Sequence, residues 1–440
     1  MEKLRFYFQW WQEYVLPEFI ERKIPDKIYD LRLIPALVGP RRSGKSTLFF
    51  QMISYLKREI PAYNILYVNF EDDRLLPLSG SEFSQLLDIY RQYYPVDANH
   101  PIYLFLDEIQ NVPNWEKTLR RLYETESNIK LFITGSNSQM LGGDLATALR
   151  GRTISFKVLP LNFQEFLAFK QYQINDVGNL QYSSMKNELL FLFEEYLNFG
   201  GFPEVVLSKN AEVKELILRE YIHTIFFSDI VQRYGIRHVK LLDAFIKMLT
   251  RQMASLFSLG KMVSSLNSIG FKISKNTLSE YLGYIENAFL GKTVSIFSYS
   301  IKDQLQYPRK FYLLDNGLFR ATSFLKSKDR GRLLENLVFV HLFQKYDKLF
   351  YWKNKSGYEV DFVLPSLFTS ETAFPLIQVC YNFTDEKVKK REVRALVHAS
   401  KEFKQTRALI VTREVWDTII VDHLTIQVQP FMQWAIESKF

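Results

Sequence analysis

The segment Gly39-Pro40-Arg41-Arg42-Ser43-Gly44-Lys45-Ser46 constrains this chain more than any other. It matches the phosphate-loop pattern Gly-x₄-Gly-Lys-Ser in full. An apolar run, Ala36-Leu37-Val38, precedes it, and a helical pattern through Thr47, Leu48, Phe49 and Met52 follows. Glycines at 39 and 44 let the backbone curl until successive N–H groups face phosphate oxygens, and the following helix adds its positive end. Gly39, Pro40, Arg41, Arg42, Ser43, Gly44, Lys45, Ser46 and Thr47 are therefore assigned to nucleotide binding. Lys45 would reach the β- and γ-phosphates and Ser46 would give an oxygen to Mg²⁺. The expected ligands are ATP and Mg²⁺.

Such a loop works inside a parallel α/β sheet, and the flanking sequence reads that way. Apolar runs recur at Ile65–Phe70, Ile102–Leu106 and Lys130–Thr134, each followed by a turn and a helical pattern. Pro35 conflicts with a long first strand, which should be short or begin at the proline. The third run ends in Asp107-Glu108. A strand of this kind is expected beside the strand of the phosphate loop, with Asp107 holding Mg²⁺ and Glu108 polarising the attacking water as general base. After the fourth run, Asn137 is the first choice for a polar side chain between carboxylate and γ-phosphate, with Ser136 second. Arg150 and Arg152 are candidates for an arginine finger, in cis or from a neighbouring copy. Arg120 and Arg121 rank behind them.

The chain has 440 residues, enough for roughly three domains. The fold class read from the pattern is α/β: a P-loop NTPase parallel-sheet core followed by smaller units. Residues 1–32 form an aromatic, amphipathic N-terminal helical segment, 33–160 the core, and 161–235 a helical lid broken by Gly200-Gly201-Phe202-Pro203. Residues 236–310 give helix, helix, glycine-containing turn, helix and ribbon, the outline of a winged helix. Residues 311–440 form a second, smaller α/β unit. The formal net charge is +8, which suits anionic partners: nucleotide, DNA or another nucleic acid, or acidic lipid. Lys272 and Lys275, with Asn276, Thr277 and Ser279, make a modest phosphate footprint on the third helix of the 236–310 unit. The stretch Lys387, Lys389, Lys390, Arg391, Arg394, Lys401 and Lys404 is a second basic face, balanced by Glu386, Glu392 and Glu402. A partner protein is the other occupant such faces take. A single cysteine, Cys380, excludes an intrachain disulfide. No apolar run reaches 18 residues and the N-terminus lacks a signal-peptide pattern, so no membrane span and a cytoplasmic location are expected.

Several segments resemble a known family: Leu37–Ser46, Val68-Asn69-Phe70-Glu71-Asp72, Leu106-Asp107-Glu108-Ile109-Gln110-Asn111-Val112-Pro113-Asn114-Trp115, Thr134–Ser138 and Gly200-Gly201-Phe202-Pro203-Glu204. They look like prokaryotic AAA+-type ATPases close to the STAND and MNS groups. The resemblance implies an ATPase core that often assembles into homo-oligomers, a lid, a winged helix, and a C-terminal domain similar to the restriction-endonuclease (PD-(D/E)xK) fold. It maps a second metal site onto Glu335, Asp361 and Gln378. Gln378 stands where an acid is expected and Cys380 where a lysine is expected, so Lys353, Lys355 or Lys387 would have to supply the charge. The departure favours a degenerate nuclease fold that binds nucleic acid or a partner over one that cuts.

Overall fold

The computed structural model describes residues 2–25, 27–141, 147–173, 186–322 and 329–438. The chain forms two compact units, Met1–Leu159 and Pro160–Phe440.

The first unit is built on β1 (Ile34–Val38), β2 (Ile65–Asn69), β3 (Ile102–Asp107), β4 (Ile129–Gly135) and β5 (Thr153–Lys157). They lie in the order β2-β3-β4-β1-β5, every neighbouring pair parallel. Both β1 and β3 are buried at every residue, as a sheet covered by helices on both faces demands. The order corrects one expectation: β4 lies between β1 and β3, so the acid strand is not next to the phosphate-loop strand. Pro35 lies inside β1 without costing a ladder bond. The Ile34 N–H donates to Arg152 O on the β5 side, which turns the Pro35 nitrogen toward β4. Pairing with β4 begins only at Ala36.

The edge strand β2 is covered by the helix Glu2–Glu13, which buries Leu4, Tyr7, Phe8 and Trp11 at helical spacing. Trp11 Nε1 donates to Ile65 O at 2.9 Å, and the Asn69 N–H donates to Tyr7 Oη at 2.9 Å. Both ends of an otherwise open edge thus find partners, which blocks edge-to-edge pairing.

The second unit opens with the helices Phe163–Phe169, Lys186–Phe199, Pro203–Leu207 and Ala211–Thr224, the last running into a π-helical stretch, Ile225–Gln232. Between the second and third, Gly200 adopts φ +73°, and a Cβ there would lie 1.9 Å from Asp315 Oδ1. The buried Asp315 carboxylate accepts the N–H groups of Gly201 (2.6 Å) and Gly317 (2.7 Å). Next come Val239–Arg251, β6 (Leu256–Phe257), Leu259–Ser268, Lys275–Asn287, β7 (Gly291–Ile296), a short helix Ile301–Gln306 and β8 (Arg309–Leu313). Ser258 and Ser274 cap their helices by accepting from the N–H groups of Lys261 and Thr277.

Past the helices Asn316–Thr322 and Arg330–Lys345 follow β9 (Phe350–Lys353), β10 (Glu359–Val363), β11 (Leu376–Cys380), the helix Glu386–Phe403, β12 (Arg407–Thr412), β13 (Asp417–Val421), β14 (Leu424–Pro430) and the helix Phe431–Glu437. The 236–310 and 311–440 segments, read apart in sequence, share one nine-stranded mixed sheet, β13-β14-β12-β11-β10-β9-β7-β8-β6. The joint is the short parallel pairing of β7 with β9, Ser295 on Phe350 and Ile296 on Tyr351. Among the described residues no helix is long and apolar enough to cross a membrane.

Candidate functional site

The carboxyl ends of β1, β3 and β4 meet at one edge of the parallel sheet, where ligands of open α/β sheets bind. The loop after β1 has the shape its glycines allow. Gly44 sits at φ +94°, and a Cβ on Gly39 would lie 1.9 Å from Val158 O at the end of β5. The helix Lys45–Leu56 starts at Gly44 without a side-chain cap, leaving its first N–H groups for an anion. Among the described residues Ser43 Oγ, buried in the loop, has no hydrogen-bond partner, as a donor meant for phosphate would be. Lys45 Nζ donates to Gly39 O (3.1 Å) and Pro40 O (3.0 Å) and pairs with Glu108 Oε1 (3.1 Å). Arg42 is exposed at φ +65°, Thr47 is exposed, and Arg41 reaches Glu71 Oε1 at 2.5 Å.

Asp107 ends β3, buried, and is held from three sides. Tyr67 Oη donates to its Oδ2 at 2.7 Å, the Thr134 hydroxyl donates to Oδ1, and Ser46 bonds it as well. Burial, reinforced by neighbouring Glu108, raises its carboxyl above the usual range. A hydroxyl beside a carboxylate, Ser46 with Asp107, is a donor set that fits Mg²⁺. Glu108 adopts φ +53°, an uncommon backbone state for a non-glycine residue and a mark of functional strain. Burial would raise its carboxyl, but Lys45 and the Gln110 amide together hold it below the usual range. Gln110 Nε2 donates to Glu108 Oε2 at 2.6 Å and to Ser136 Oγ at 3.3 Å. The Glu108 N–H donates to Thr134 Oγ1 at 2.8 Å.

The structure reorders the other assignments. Asn137 spends its side chain on its own turn: the Gln139 N–H donates to Asn137 Oδ1, and Asn137 Nδ2 donates to Gln139 Oε1. Thr134 bonds both members of the acid pair instead, and Ser136 accepts from the Gln110 amide that also holds Glu108. Arg150 and Arg152 precede β5, and β5 runs parallel to β1, so they lie at the opposite end of the sheet from the phosphate loop. A five-residue strand spans about 17 Å, which rules out a finger in cis. Arg152 is also engaged with Glu124 at 2.6 Å, whereas Arg150 is exposed. Sequence reasoning missed Tyr67, Thr134, Gln110 and Arg22. Arg22, in the segment after the first helix, donates to Ser43 O (2.7 Å) and Leu159 O (3.2 Å), bracing the phosphate loop.

In the second unit, Glu335, Asp361 and Gln378 do converge, in a cleft of about 330 Å³ that Glu359, Arg391 and Glu392 also line. The lysine there is none of those expected. Lys310, from β8, meets Asp361 Oδ1 at 2.8 Å, Glu359 Oε1 at 2.9 Å and Glu335 Oε1 at 3.0 Å. Lys353 pairs with Glu359, and Lys355 and Lys387 are exposed. Cys380 is buried, which pushes its thiol up to about 12. On the Lys275–Asn287 helix, Lys275, Asn276 and Ser279 are exposed, as is Lys272 before it, while Thr277 is half-buried beside Ser274. On the Glu386–Phe403 helix, Lys389 and Lys401 pair with Asp417 and Asp422 of the β13 hairpin, which the sequence reading did not contain.

A parallel sheet in this order, with a phosphate loop after β1 and paired acids after β3, defines an AAA-type P-loop ATPase domain. A family model described as AAA domain matches residues 32–167. Two domains of unknown function, DUF8612 and DUF4143, match residues 190–329 and 330–433. An uncharacterised protein of Methanocaldococcus jannaschii is 36% identical over 430 residues, 94% of this chain and 91% of that protein. One of Haemophilus influenzae is 30% identical over 410 residues, 93% of this chain and 95% of that protein. The chain belongs to the family that these two proteins represent. Solved structures similar to it include a Walker-type ATPase of Pyrococcus abyssi (12% identity, TM-score 0.45, covering 69% of this chain and 96% of that one). Another is an Aeropyrum pernix ORC1 protein in complex with DNA (16% identity, TM-score 0.35, covering 72% and 96%).

Proposed function

We propose that this protein binds ATP with Mg²⁺ and hydrolyses it to ADP and phosphate, and that the nucleotide state governs binding of nucleic acid or a partner protein. The observation that carries the reading is the contact of Lys45 with Glu108 at 3.1 Å beside a buried, triply held Asp107. Ser46 and Asp107 are the residues that would hold Mg²⁺, which when bound neutralises charge on the β- and γ-phosphates. Lys45 exchanges Gly39 O, Pro40 O and Glu108 for phosphate oxygens. Glu108, released from the ammonium, takes the proton of the attacking water as its oxygen bonds to the γ-phosphorus. The bond from γ-phosphorus to the bridging oxygen breaks, and ADP leaves with that oxygen. Thr134 and Gln110 keep Glu108 in place through backbone and side chain. Arg150, exposed on the far side of its own sheet, is left for the site of a neighbouring copy in a homo-oligomer.

The 236–310 segment follows winged-helix order, and Lys275, Asn276 and Ser279 on its third helix, with Lys272 just before that helix, give the nucleic-acid surface. Calorimetric titration with ATP tests the nucleotide reading: Lys45→Ala should abolish or severely weaken binding, and unchanged affinity would sink it. The coupling is tested by DNA binding with and without a non-hydrolysable ATP analogue. Charge reversal at Lys272 and Lys275 should reduce both affinity and its salt dependence. DNA or partner affinity indifferent to nucleotide in every condition would remove the coupling.

A further inference from the structure

The sequence resemblance maps a divalent-ion site onto Glu335, Asp361 and Gln378, which line one cleft, so its residues can be tested for fit. They do not fit. Asp361 Oδ1 accepts from Lys310, and Oδ2 accepts from the Val379 N–H at 3.0 Å. Glu335 Oε1 accepts from Lys310 and from Tyr312 Oη at 2.6 Å. Glu359 Oε1 pairs with Lys310 and Oε2 with Lys353. Gln378, the one neutral candidate ligand, has turned its carbonyl to the Asp361 N–H and its amide to Glu392 Oε2 at 2.6 Å. Among the described residues no group of three or more His, Cys, Asp or Glu side chains is arranged to hold a metal ion.

What the carboxylates surround is an ammonium. Lys310 is 2% exposed, and its nitrogen lies within 3.0 Å of three separate acids. Its origin makes this more than local charge balance. Lys310 and Tyr312 project from the same face of β8, in the segment matched as DUF8612, whereas Glu335, Glu359 and Asp361 belong to the segment matched as DUF4143. In the strand order β8 and β10 are separated by β7 and β9, so a flat sheet would hold them about 14 Å apart. The long Lys310 side chain reaches across the two intervening strands, so the cluster joins the ribbon to the C-terminal strands in this register.

We propose that Lys310 is a built-in cation that takes the place of a divalent ion in this cleft, leaving the cleft without metal-dependent cleavage and fastening the β7–β8 ribbon to the C-terminal sheet. The first function of the cluster is then exclusion of metal, and the second is a joint between two segments that share one sheet.

The test uses the full-length, nucleotide-free chain and Mn²⁺ alone, with free Mn²⁺ followed by electron paramagnetic resonance. Wild type and Asp361→Asn should give superimposable titrations. Lys310→Met should gain one saturable Mn²⁺ site per chain, and Asp361→Asn placed on that background should remove it. A saturable site in wild type that Asp361→Asn loses overturns the proposal, as does Mn²⁺-dependent plasmid cleavage with the same sensitivity. A folded Lys310→Met that gains no site also overturns it. Where Lys310→Met does not fold, the comparison of wild type with Asp361→Asn decides alone, and Glu335→Gln replaces Asp361→Asn where that variant does not fold.

Discussion

Gln110→Ala separates positioning of the base from binding of the nucleotide. In the nucleotide-free protein the Glu108 carboxylate is held twice, by Lys45 at one oxygen and by the Gln110 amide at the other. ATP draws Lys45 to its phosphates, after which Gln110 is the chief side-chain restraint on Glu108. A hydrogen bond to a charged group contributes about 1.5–3 kcal/mol, and each 1.4 kcal/mol lost from transition-state stabilisation is about tenfold in rate. The substitution should therefore lower kcat roughly 10- to 100-fold. The KM for ATP should move less than about threefold, because Gln110 makes no contact with residues 39–47 among its hydrogen bonds. Among the described residues Gln110 Oε1 has no partner, so truncation leaves no buried donor behind on that side. The assay is steady-state phosphate release at saturating Mg-ATP, with thermal unfolding as a control for the fold. A kcat within twofold of wild type in a folded variant would refute the positioning role.

Arg22→Ala should weaken ATP binding by about tenfold, because it removes the guanidinium that holds Ser43 O and Leu159 O; calorimetry measures this, and wild-type affinity would contradict it. Gly200→Ala should destabilise the second unit by about 3–8 kcal/mol. The left-handed backbone costs about 1–2 kcal/mol, and displacing Asp315 unpairs the N–H groups of Gly201 and Gly317 at about 1–3 kcal/mol each. A chemical-denaturation change below about 1 kcal/mol would refute that accounting. Burial raises Asp315 from 3.8 to about 7 and Glu335 from 4.5 to about 7. A raised folded value means the stabilising contribution is complete below the unfolded value and is lost as pH rises through about 7. Each group therefore lowers stability by up to about 1.4 kcal/mol per pH unit across that window. Asp315→Asn should flatten the pH dependence of unfolding between about pH 4 and 7, and an unchanged slope would exclude Asp315 as a contributor.

Local signals were legible in sequence and distant ones were not. The phosphate loop, Asp107-Glu108 and the strands around them are written in contiguous residues, and the structure places them together. Burial of Leu4, Tyr7, Phe8 and Trp11 follows the helical spacing of an aromatic stretch. The order of strands is a tertiary property, which is why β4 between β1 and β3 was not foreseen. Thr134 and Tyr67 reach Asp107 from neighbouring strands, and no spacing in the chain pairs them with it. Asn137 looked suitable by residue type, but an Asn beginning a tight turn satisfies its own backbone first. Arg150 and Arg152 could have been set aside as cis candidates, since residues ahead of a parallel strand lie at the end away from the site. Lys310 is the clearest case. It lies 25 positions before Glu335 and 51 before Asp361, in a segment read as a different unit, and only the shared sheet brings the three together. The hairpin of β13 and β14 was missed although its signal was present: a β-branched run, Thr418–Val421, and an alternating one, Leu424–Val428, around Asp422-His423.

Phosphate release by wild type and Glu108→Gln under saturating Mg-ATP tests the central claim most directly. The substitution keeps the size of the side chain and removes its negative charge and with it the capacity to take a proton. Wild type should turn over steadily, and Glu108→Gln should fall by about 10²- to 10⁴-fold while still binding ATP. Equal turnover in the two proteins, negligible or not, would contradict the assignment of Glu108 as the base.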